Sequence, residues 1–429
     1  MKDFTLAEIA KACNGEYVGD ESLKNTKITS VERDSRQVNN GSLFLAIKGE
    51  RVDGHDFIEK CFAQGAVCAL CEKAPEKATK PCIVVSSTLD AVKKIGRAYR
   101  EKFDIPVIGI SGSVGKTSTK EMLYAVLSQK FKTHKTQGNL NNELGVPLTL
   151  LSMPEDTEAA VIEMGISDFG EMTRLSEMVQ PTICVLTIIG ECHLENLGDR
   201  DGVLKAKTEM FKNARENADF ILNGDDDKLS TVKTVNGKKP VFFGLDAKND
   251  FYAKNIKNSG DGKVLATLCF DNNNIDVEIP AIGTYMVTNA LAAAAAGKLL
   301  GLTDEEIANG VASYKTVGSR ANVINTGKIK IIDDCYNANP TSVRASLDTL
   351  SNLDGRKVAI LGDMKELGSE ELKLHFDTGV YAKSKDIGTV ITVGELAKEL
   401  AKGADGKAFD TIEDAKPEIL KTIKSGDVE

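Results

Sequence analysis

The sequence predicts an α/β protein of three domains, and three observations support that prediction. Its 429 residues correspond to three domains of about 150 residues each. The middle of the chain carries unbroken apolar segments separated by helical patterns, which is typical of strands buried on both faces of a doubly wound, mostly parallel sheet. The flanking segments each restart a shorter alternation of strand and helix. We therefore expect domains at 1–103, 104–316 and 317–429.

The first domain is predicted to be a small α/β unit. Helical spacing at Asp56–Gln64 and Leu89–Phe103 alternates with apolar strands, and glycines punctuate them. Alternation along one strand places Cys68 and Cys71 on opposite faces, which is poor geometry for metal ligands. Buried, reduced thiols are therefore favoured over redox or metal chemistry. The predicted strands are Ile28–Val31, Leu43–Ile47, Ala66–Leu70 and Ile83–Val85.

The central domain is predicted to contain a parallel sheet with an antiparallel insert. Short strands separated by Asn and Gly turns, at 241–243, 263–270 and 276–279, predict the insert, and an alanine-rich helix follows at Ala290–Leu300. The four buried strands are expected at Val107–Ile110, Ala159–Met164, Ile183–Ile189 and Phe220–Leu222.

The third domain is predicted to be Rossmann-like. A strand at Ile329–Asp333 precedes a helix at Ser342–Leu350, and further strands follow at Lys357–Leu361 and Thr389–Val393.

Composition argues against several classes of protein. Lys and Arg total 54 against 63 Asp and Glu, and the net charge of −9 is unsuited to binding nucleic acid or an anionic membrane surface. No apolar run of about 18 residues predicts a membrane span, and the charged N-terminus does not read as a secretory signal. Nine unevenly spaced cysteines do not form a disulfide framework. We expect a cytoplasmic globular protein.

The segment Ser111–Thr117 predicts a phosphate-binding loop. It lies between an apolar strand and a helical pattern, and its glycines allow backbone N–H groups to curl around phosphates at the positive end of a helix. Lys116 would reach the β- and γ-phosphates, and Thr117 would hold Mg²⁺. The common pattern places a glycine at position 110, where this chain has Ile110. A P-loop identifies only the nucleotide, so a transport or motor ATPase stays possible at this point.

Polar side chains follow two other strands of the predicted sheet. Glu163 ends one strand and His193 follows the next, so both are expected at the sheet edge where ligands bind. A carboxylate there suits Mg²⁺, although Glu163 could simply face solvent and a lone histidine is often structural. An amide-rich loop at Thr136–Pro147 is either a site loop or a connector. Spacing says nothing about Lys207.

Taken together, these motifs resemble the Mur ligase family of peptidoglycan synthesis over nearly the whole chain. The family's short P-loop form, Gly-x-x-Gly-Lys-Thr, tolerates Ile110. The segments 334–340 and 362–368, with the strings Tyr-Asn-Ala-Asn-Pro and Gly-Asp-Met-x-Glu-Leu-Gly, are the most discriminating. The other matching segments are 34–36, 44–49, 53–57, 136–147, 163–165, 193–195 and 223–226.

The resemblance implies an ATP-dependent amide ligase. ATP would phosphorylate the terminal carboxylate of UDP-N-acetylmuramoyl-tripeptide, and the amine of D-alanyl-D-alanine would displace the phosphate from the acyl phosphate. The implied cofactors are ATP and two Mg²⁺ ions. The protein is expected to be a monomer. The alternatives are a homologue that binds substrate but ligates poorly, or another P-loop ATPase.

The resemblance also assigns roles to single residues. Lys116, His193, Lys207 and Arg320 are implied in catalysis, and Lys207 is implied to carry a carbamate formed with CO₂. The implied Mg²⁺ ligands are Thr117, Glu163, His193 and Lys207. The implied nucleotide site consists of Gly112, Ser113, Gly115, Lys116, Thr117, Ser118, Asn289, Arg320 and Asp334. The implied substrate residues are Ser35, Arg36, Lys48, His55, Asn141, Asn142, Tyr336, Asn337 and Asn339.

Three departures from the family pattern stand out. The arginine usually follows a glycine, whereas Arg320 follows Ser319, so only Arg320 itself is carried over. Tyr285 and Met286 occupy the positions of a usual His-Asn pair, which weakens the expected adenine contacts, although Asn289 is kept. The family's C-terminal domain continues into a strand bearing Lys-Gly-Ser-Arg and a last helix, whereas this sequence stops at Glu429. The resemblance therefore implies a truncated C-terminal domain with weakened stability or activity.

Overall fold

The computed structural model describes residues 1–259, 262–320 and 322–428, so Glu429 of the predicted third domain lies outside the described residues. Strands form a five-stranded sheet, two six-stranded sheets and a three-stranded sheet. Helices cover the larger sheets, which confirms the predicted α/β class with three domains. Within the described ranges, no helix combines the length and apolar character needed to cross a membrane.

The first sheet, in the order β1-β5-β4-β3-β2, is parallel except for β1, which runs antiparallel to β5. All four predicted strands are confirmed to within two or three residues, whereas α1 and β1 were not predicted from the sequence. A capping box formed by Thr5 and Glu8 begins α1. The elements are α1 (Leu6–Cys13), β1 (Glu16–Val18), β2 (Ser30–Glu32), β3 (Ser42–Leu45), α2 (Ile58–Gln64), β4 (Cys68–Cys71), β5 (Cys82–Val84) and α3 (Thr88–Arg100).

The central sheet is wholly parallel, in the order β11-β10-β9-β6-β8-β7. The chain leaves β6 to build one half of the sheet and returns to its other side with β9, so β6 marks the point where the strand order reverses. Its elements are β6 (Val107–Ser111), α4 (Lys116–Leu127), β7 (Thr133–Lys135), α5 (Gly145–Leu151), β8 (Ala159–Glu163), α6 (Glu171–Val179), β9 (Ile183–Leu186), α7 (Leu194–Leu197), α8 (Arg200–Thr208), β10 (Asp219–Asn223) and β11 (Val241–Phe243). Ligands of open α/β sheets bind at such a reversal.

One part of the predicted insert is wrong. The segment Val241–Phe243 is the parallel edge strand of the central sheet, because it pairs in register with β10. The antiparallel insert consists instead of β12 (Tyr252–Asn258), β13 (Val264–Phe270) and β14 (Asn273–Ile279). Three residues are too few to display a period, so their pattern could not distinguish the two sheets. Helices α9 (Tyr285–Leu299) and α10 (Asp304–Ala312) complete this domain.

The last sheet has the order β15-β16-β20-β17-β18-β19, with only β15 antiparallel to its neighbour. The predicted strands and helix of this Rossmann-like domain are confirmed. Its elements are β15 (Asn322–Asn325), β16 (Lys330–Asp333), α11 (Pro340–Ser351), β17 (Arg356–Gly362), α12 (Glu371–Ser384), β18 (Thr389–Val393), α13 (Ala397–Ala404), β19 (Lys407–Phe409), α14 (Ile412–Thr422) and β20 (Asp427–Val428).

The cysteines follow the sequence-based interpretation. Cys68 packs into the hydrophobic core on one side of β4, and Cys71 packs into the separate core on the other side. Both thiols are free and buried, as are all the other cysteines except Cys335, which is exposed. Within the described residues, no group of three or more His, Cys, Asp or Glu side chains could hold a metal ion.

A buried arginine joins the first and central domains. The Arg100 side chain at the end of α3 has no solvent exposure. Its guanidinium donates to the carbonyl oxygens of Val179 at 2.9 Å, Gln180 at 3.2 Å and Phe103 at 2.7 Å. Two of these acceptors lie at the end of α6, so the bonds hold α3 of the first domain against the central domain.

Replacement of this arginine should loosen the junction. We expect Arg100→Ala to lower the free energy of unfolding by about 3 kcal/mol, because buried carbonyl oxygens lose their donors. Urea unfolding followed by circular dichroism measures the change. Arg97→Ala is the matched control, since Arg97 lies on the same helix and is 44% exposed with its ion-pair partners at the surface, and we expect it to cost less than about 1 kcal/mol. Equal effects of the two variants would contradict this account.

Candidate active site

The P-loop follows β6, at the point where the strand order of the central sheet reverses. A Cβ atom at Gly112, whose φ is +152°, would lie 1.9 Å from Thr187 Oγ1, so only glycine fits there. Lys116 is the first residue of α4, and its Nζ donates to the Gly112 carbonyl oxygen at 2.7 Å. Burial lowers the Lys116 pKa. The amine and the helix N-terminus thus face the same space, as an anion site requires.

Glu163 is a buried carboxylate held by several donors at the carboxyl end of β8. Its side chain is 1% exposed, and Thr117 Oγ1 donates to both of its oxygens, at 3.2 and 3.1 Å. Asn141 Nδ2 donates to Oε1 at 2.8 Å. Lys120 Nζ lies 3.5 Å from Oε2 and is itself 1% exposed. The prediction that Glu163 is at the ligand-binding edge therefore agrees with its position.

His193 lies on the loop between β9 and α7 and touches the third domain. Its backbone is left-handed, with φ of +53°. Its Nδ1 contacts the Glu366 carboxylate, which belongs to the loop after β17. Burial and the nearby Lys207 ammonium lower the His193 pKa, against the opposing effect of Glu366.

Lys207 is a fully buried amine on α8. It has no solvent exposure, and its Nζ has no hydrogen-bond partner among the described residues. Burial, chiefly, and the Lys116 ammonium lower its pKa to about 8. An unpartnered buried amine of this pKa is largely available in its neutral, nucleophilic form at mildly alkaline pH.

A cavity of about 460 Å³ brings residues of the central and third domains together. Arg320 stacks on the Tyr336 ring, with its Cζ 4.1 Å from the ring centroid. Asn339 also caps α11 by accepting from the Ser342 N–H at 2.9 Å. The residues of the predicted site that line this cavity are Ser113, Gly115, Lys116, Thr117, Asn141, Asn142, Glu163, His193, Arg320, Tyr336, Asn337 and Asn339.

Four predicted nucleotide residues do not line this cavity, and one of them is Gly112 of the P-loop itself. Asn289 sits behind the P-loop, where its Oδ1 accepts from Thr119 Oγ1 at 2.9 Å. Ser118, in the first turn of α4, lies close to the Tyr314 hydroxyl. Asp334 accepts from the Ser346 hydroxyl and lines a second cavity, of about 630 Å³, within the third domain. Their nucleotide roles stay predictions.

The predicted substrate residues of the first domain do not line this cavity. Two of them form contacts within their own domain. Arg36 forms an ion pair with Asp34 at 2.6 Å. His55 Nδ1 lies 2.6 Å from Asp53 Oδ1, and its Nε2 accepts from the Glu72 N–H at 2.9 Å. The remaining two, Ser35 and Lys48, lie in the same domain. Their roles as uridine-nucleotide residues stay predictions.

Two residues of the site were missed by the sequence-based reasoning. Lys120 follows Lys116 by four residues, so both lie on one face of α4. A second lysine on the face of α4 that carries Lys116 is the signal that could have indicated it. Glu366 lies 173 residues from His193, and no local pattern could connect them.

The residues of this cavity fit a magnesium ion together with a nucleotide. Mg²⁺ in proteins is commonly held by one or two carboxylates with substrate phosphates and water. A hydroxyl from Thr117, the Glu163 carboxylate and the His193 imidazole line one cavity beside the P-loop. These side chains lie beside a phosphate site, so Mg²⁺ could be bound by them and by the phosphates together.

Comparison of the sequence with family profiles gives three matches. The Mur ligase middle domain matches residues 110–297. The glutamate ligase domain of Mur ligases matches residues 319–428. The profile described as the Mur ligase family, catalytic domain, matches residues 27–111.

Curated relatives and solved structures agree with these matches. The UDP-N-acetylmuramoyl-tripeptide–D-alanyl-D-alanine ligase of Bacillus subtilis (strain 168) is 37% identical, covering 93% of this chain and 87% of the relative. The enzyme of that name from Escherichia coli (strain K12) is 36% identical over 94% of this chain and 88% of its own. A crystal structure of MurF from Acinetobacter baumannii has a TM-score of 0.92 at 32% identity, covering 100% of this chain and 95% of that chain. MurF ligase from Thermotoga maritima in complex with ADP has a TM-score of 0.83 at 30% identity, with coverage of 93% and 92%.

Substitution within the P-loop should remove the nucleotide site. We expect Gly112→Ala to weaken ADP binding at least about tenfold, which is about 1.4 kcal/mol, because the added methyl group displaces the loop from Thr187. Isothermal titration calorimetry with ADP measures the affinity. Gly388→Ala, at an exposed glycine with no atom within 4 Å of the added carbon, is the control and should bind ADP normally. Unchanged affinity in Gly112→Ala would be inconsistent with phosphate binding by this loop.

Proposed function

The chain belongs to the Mur ligase family, and on that premise we propose that it joins D-alanyl-D-alanine to UDP-N-acetylmuramoyl-tripeptide with ATP. The observation that carries this proposal is the cavity that places the P-loop of one domain against polar side chains of the next. ATP phosphates and an acceptor carboxylate can share that space. The curated relatives quoted above carry this activity in their names. The product is the UDP-muramoyl-pentapeptide precursor of the cell wall.

The reaction activates a carboxylate, because its negative charge repels nucleophiles. The terminal carboxylate oxygen of the tripeptide attacks the γ-phosphorus of ATP, and ADP leaves. The amine of D-alanyl-D-alanine then attacks the acyl carbon, the amide C–N bond forms, and phosphate departs as the C–O bond breaks. The protein's part is alignment and charge stabilisation.

We assign that part to residues that line the cavity. Backbone N–H groups of the P-loop and the Lys116 amine hold the β- and γ-phosphates. Thr117, Glu163 and His193 would hold Mg²⁺, which when bound would supply positive charge to neutralise the phosphates. The Arg320 guanidinium, which lies over the Tyr336 ring, faces the same space. Its fixed charge is suited to the transferring phosphoryl group.

The buried amine of Lys207 is assigned the carbamate. A neutral amine attacks CO₂, the new C–N bond forms, and one proton leaves, which replaces a cation by a carboxylate-like anion. That anion can serve a second Mg²⁺ and accept hydrogen bonds. Two features support the assignment: the unpartnered Nζ and its pKa of about 8.

The remaining assignments follow the family resemblance. The uridine nucleotide is assigned to the first domain near Ser35, Arg36, Lys48 and His55. The peptide ends are assigned to the cavity wall at Asn141, Asn142, Tyr336, Asn337 and Asn339. Adenine is assigned near Asn289, with Ser118 and Asp334 in reach of the nucleotide. A cytoplasmic monomer is part of the same proposal.

A turnover assay tests the function. We expect phosphate release from ATP only when UDP-N-acetylmuramoyl-tripeptide and D-alanyl-D-alanine are both present, because the acyl phosphate needs both partners to complete the cycle. Lys116→Ala should lose more than about 99% of turnover, a loss of about 3 kcal/mol in transition-state stabilisation, while binding of the UDP-substrate is kept. Lys132→Ala, which removes an exposed lysine paired with Asp156, should behave as wild type. Release of phosphate without the peptide substrates would favour a simple ATPase.

Carbamate formation can be observed directly. We expect a ¹³C carbamate signal from protein exposed to ¹³CO₂, and at constant dissolved CO₂ it should grow between pH 7 and pH 9. The reason is that the reactive neutral amine of Lys207 increases as pH rises through a pKa of about 8. Lys207→Met should lose the signal. Lys205→Met, at an exposed lysine on the same helix, should keep it. A signal that persists in Lys207→Met would assign the carbamate elsewhere.

A further inference from the structure

We propose that Glu366 is a positioning residue for His193, so that the metal site on the central domain is completed by the third domain. The inference rests on the proposed function, since His193 is assigned to Mg²⁺ there. What is new is the source of the histidine's orientation. A side chain from another domain provides it, and metal affinity thereby depends on docking of the two domains.

The contact itself has a defined chemistry. His193 Nδ1 meets a carboxylate oxygen of Glu366, and a carboxylate can only accept. Nδ1 must therefore carry the proton, which leaves the Nε2 lone pair free for a metal. Histidines that bind metals commonly donate their other ring N–H to a carboxylate in this way, which fixes the tautomer and the ring orientation.

Within the part of the chain that the structure describes, no residue of its own loop or of α7 hydrogen-bonds this ring. His193 precedes α7 and has a left-handed backbone with φ of +53°, a conformation that few non-glycine residues adopt. Of the charged groups that act on the imidazole, Lys207 and Lys116 are cations and Glu366 is the anion. Glu366 is thus the group able to hold the Nδ1 proton.

The loop that carries Glu366 is hydrogen-bonded to the rest of the third domain. The loop after β17 is tied to its own domain at Asp363 and at Met364. The Met364 N–H donates to Nε2 of the fully buried His375 at 2.9 Å, and Asp363 accepts from the Ala397 N–H at 2.8 Å. Movement of the third domain therefore carries Glu366 with it.

The same loop docks on α7 beside His193. The Glu195 N–H donates to the carbonyl oxygen of Glu366 at 3.3 Å. A Cβ atom at Gly368, whose φ is +65°, would lie 3.2 Å from the Cα of Glu195, so the two backbones are in close approach. Nearby, Thr341 Oγ1 of α11 donates to Glu191 at 2.7 Å. The His193–Glu366 pair is therefore part of a wider contact between the domains.

Metal affinity provides the test, and it does not depend on turnover. Mn²⁺ is titrated into the full-length protein with a non-hydrolysable ATP analogue, and free Mn²⁺ is measured by electron paramagnetic resonance. We expect Glu366→Gln to raise the Mn²⁺ Kd about tenfold, the lower end of the range for losing such a partner. The Glu366 side chain is 57% exposed, so the substitution is compatible with folding. Glu370→Gln, at a glutamate of 58% exposure whose partner is Lys373, is the matched control.

A double-mutant cycle separates positioning from a general domain contact. In a His193→Ala background, Glu366→Gln should leave the Mn²⁺ Kd unchanged, because its effect acts through the imidazole. Equal losses in both backgrounds would overturn the proposal, as would an unchanged Kd in Glu366→Gln alone. In turnover, the Mg²⁺ concentration for half-maximal rate should rise in Glu366→Gln, with kcat at saturating Mg²⁺ within about twofold of wild type.

Docking can be weakened without touching the pair. Thr341→Val removes the bond to Glu191, and we expect a smaller rise in the Mn²⁺ Kd, of about threefold. No rise would overturn the dependence on docking. Failure of the proposed function gives a different result. Wild-type protein would then release phosphate from ATP without the peptide substrates, although it still binds the ATP analogue. If this inference alone fails, the protein is a working ligase whose Mn²⁺ Kd is the same with and without the Glu366→Gln substitution.

Discussion

The hydrogen bond between Thr117 and Glu163 is the interaction on which the site depends. It joins the first turn of α4 to the end of β8, on either side of the phosphate loop. A carboxylate with 1% exposure is costly without partners, and Glu163 has donors from Thr117 and Asn141 with Lys120 close by. Because Glu163 ends a strand of the parallel sheet and its donors come from the P-loop helix and the amide-rich loop, these three segments are fixed relative to one another.

From that fixed edge, the site extends across a domain boundary. The central domain supplies the phosphate loop with Lys116 and the Glu163 carboxylate, whereas the third domain supplies Arg320, Tyr336 and Glu366. Groups from different domains can therefore stabilise the negative charge of the nucleotide and that of the acceptor carboxylate. Ligation requires two anionic groups to approach each other, so cations and dipoles must converge from both sides. Arg320 and the start of α4 meet that requirement.

Sequence patterns predicted most of this architecture, because buried parallel strands and a Gly-Lys-Thr turn leave strong local signals. The strand before the P-loop and the positions of Glu163 and His193 came from such signals. The short strand at Val241–Phe243 was assigned to the wrong sheet, since three residues show no period. Lys207 carried no signal of its own, because burial of an amine depends on contacts distant in sequence. Glu366 was missed for the same reason, and the domain boundaries stay predictions.

The distribution of thiols has a practical consequence for observing this molecule. Cys335 is exposed, whereas the other eight cysteines are buried. A maleimide fluorophore should therefore label one position, next to Tyr336 on the third-domain wall of the cavity. Its reaction will be slow at neutral pH, because the bond from the Cys335 thiol to Asp333 raises the thiol pKa. Single-site labelling without engineered cysteines would let fluorescence report on this wall of the cavity when substrates are added to the native chain.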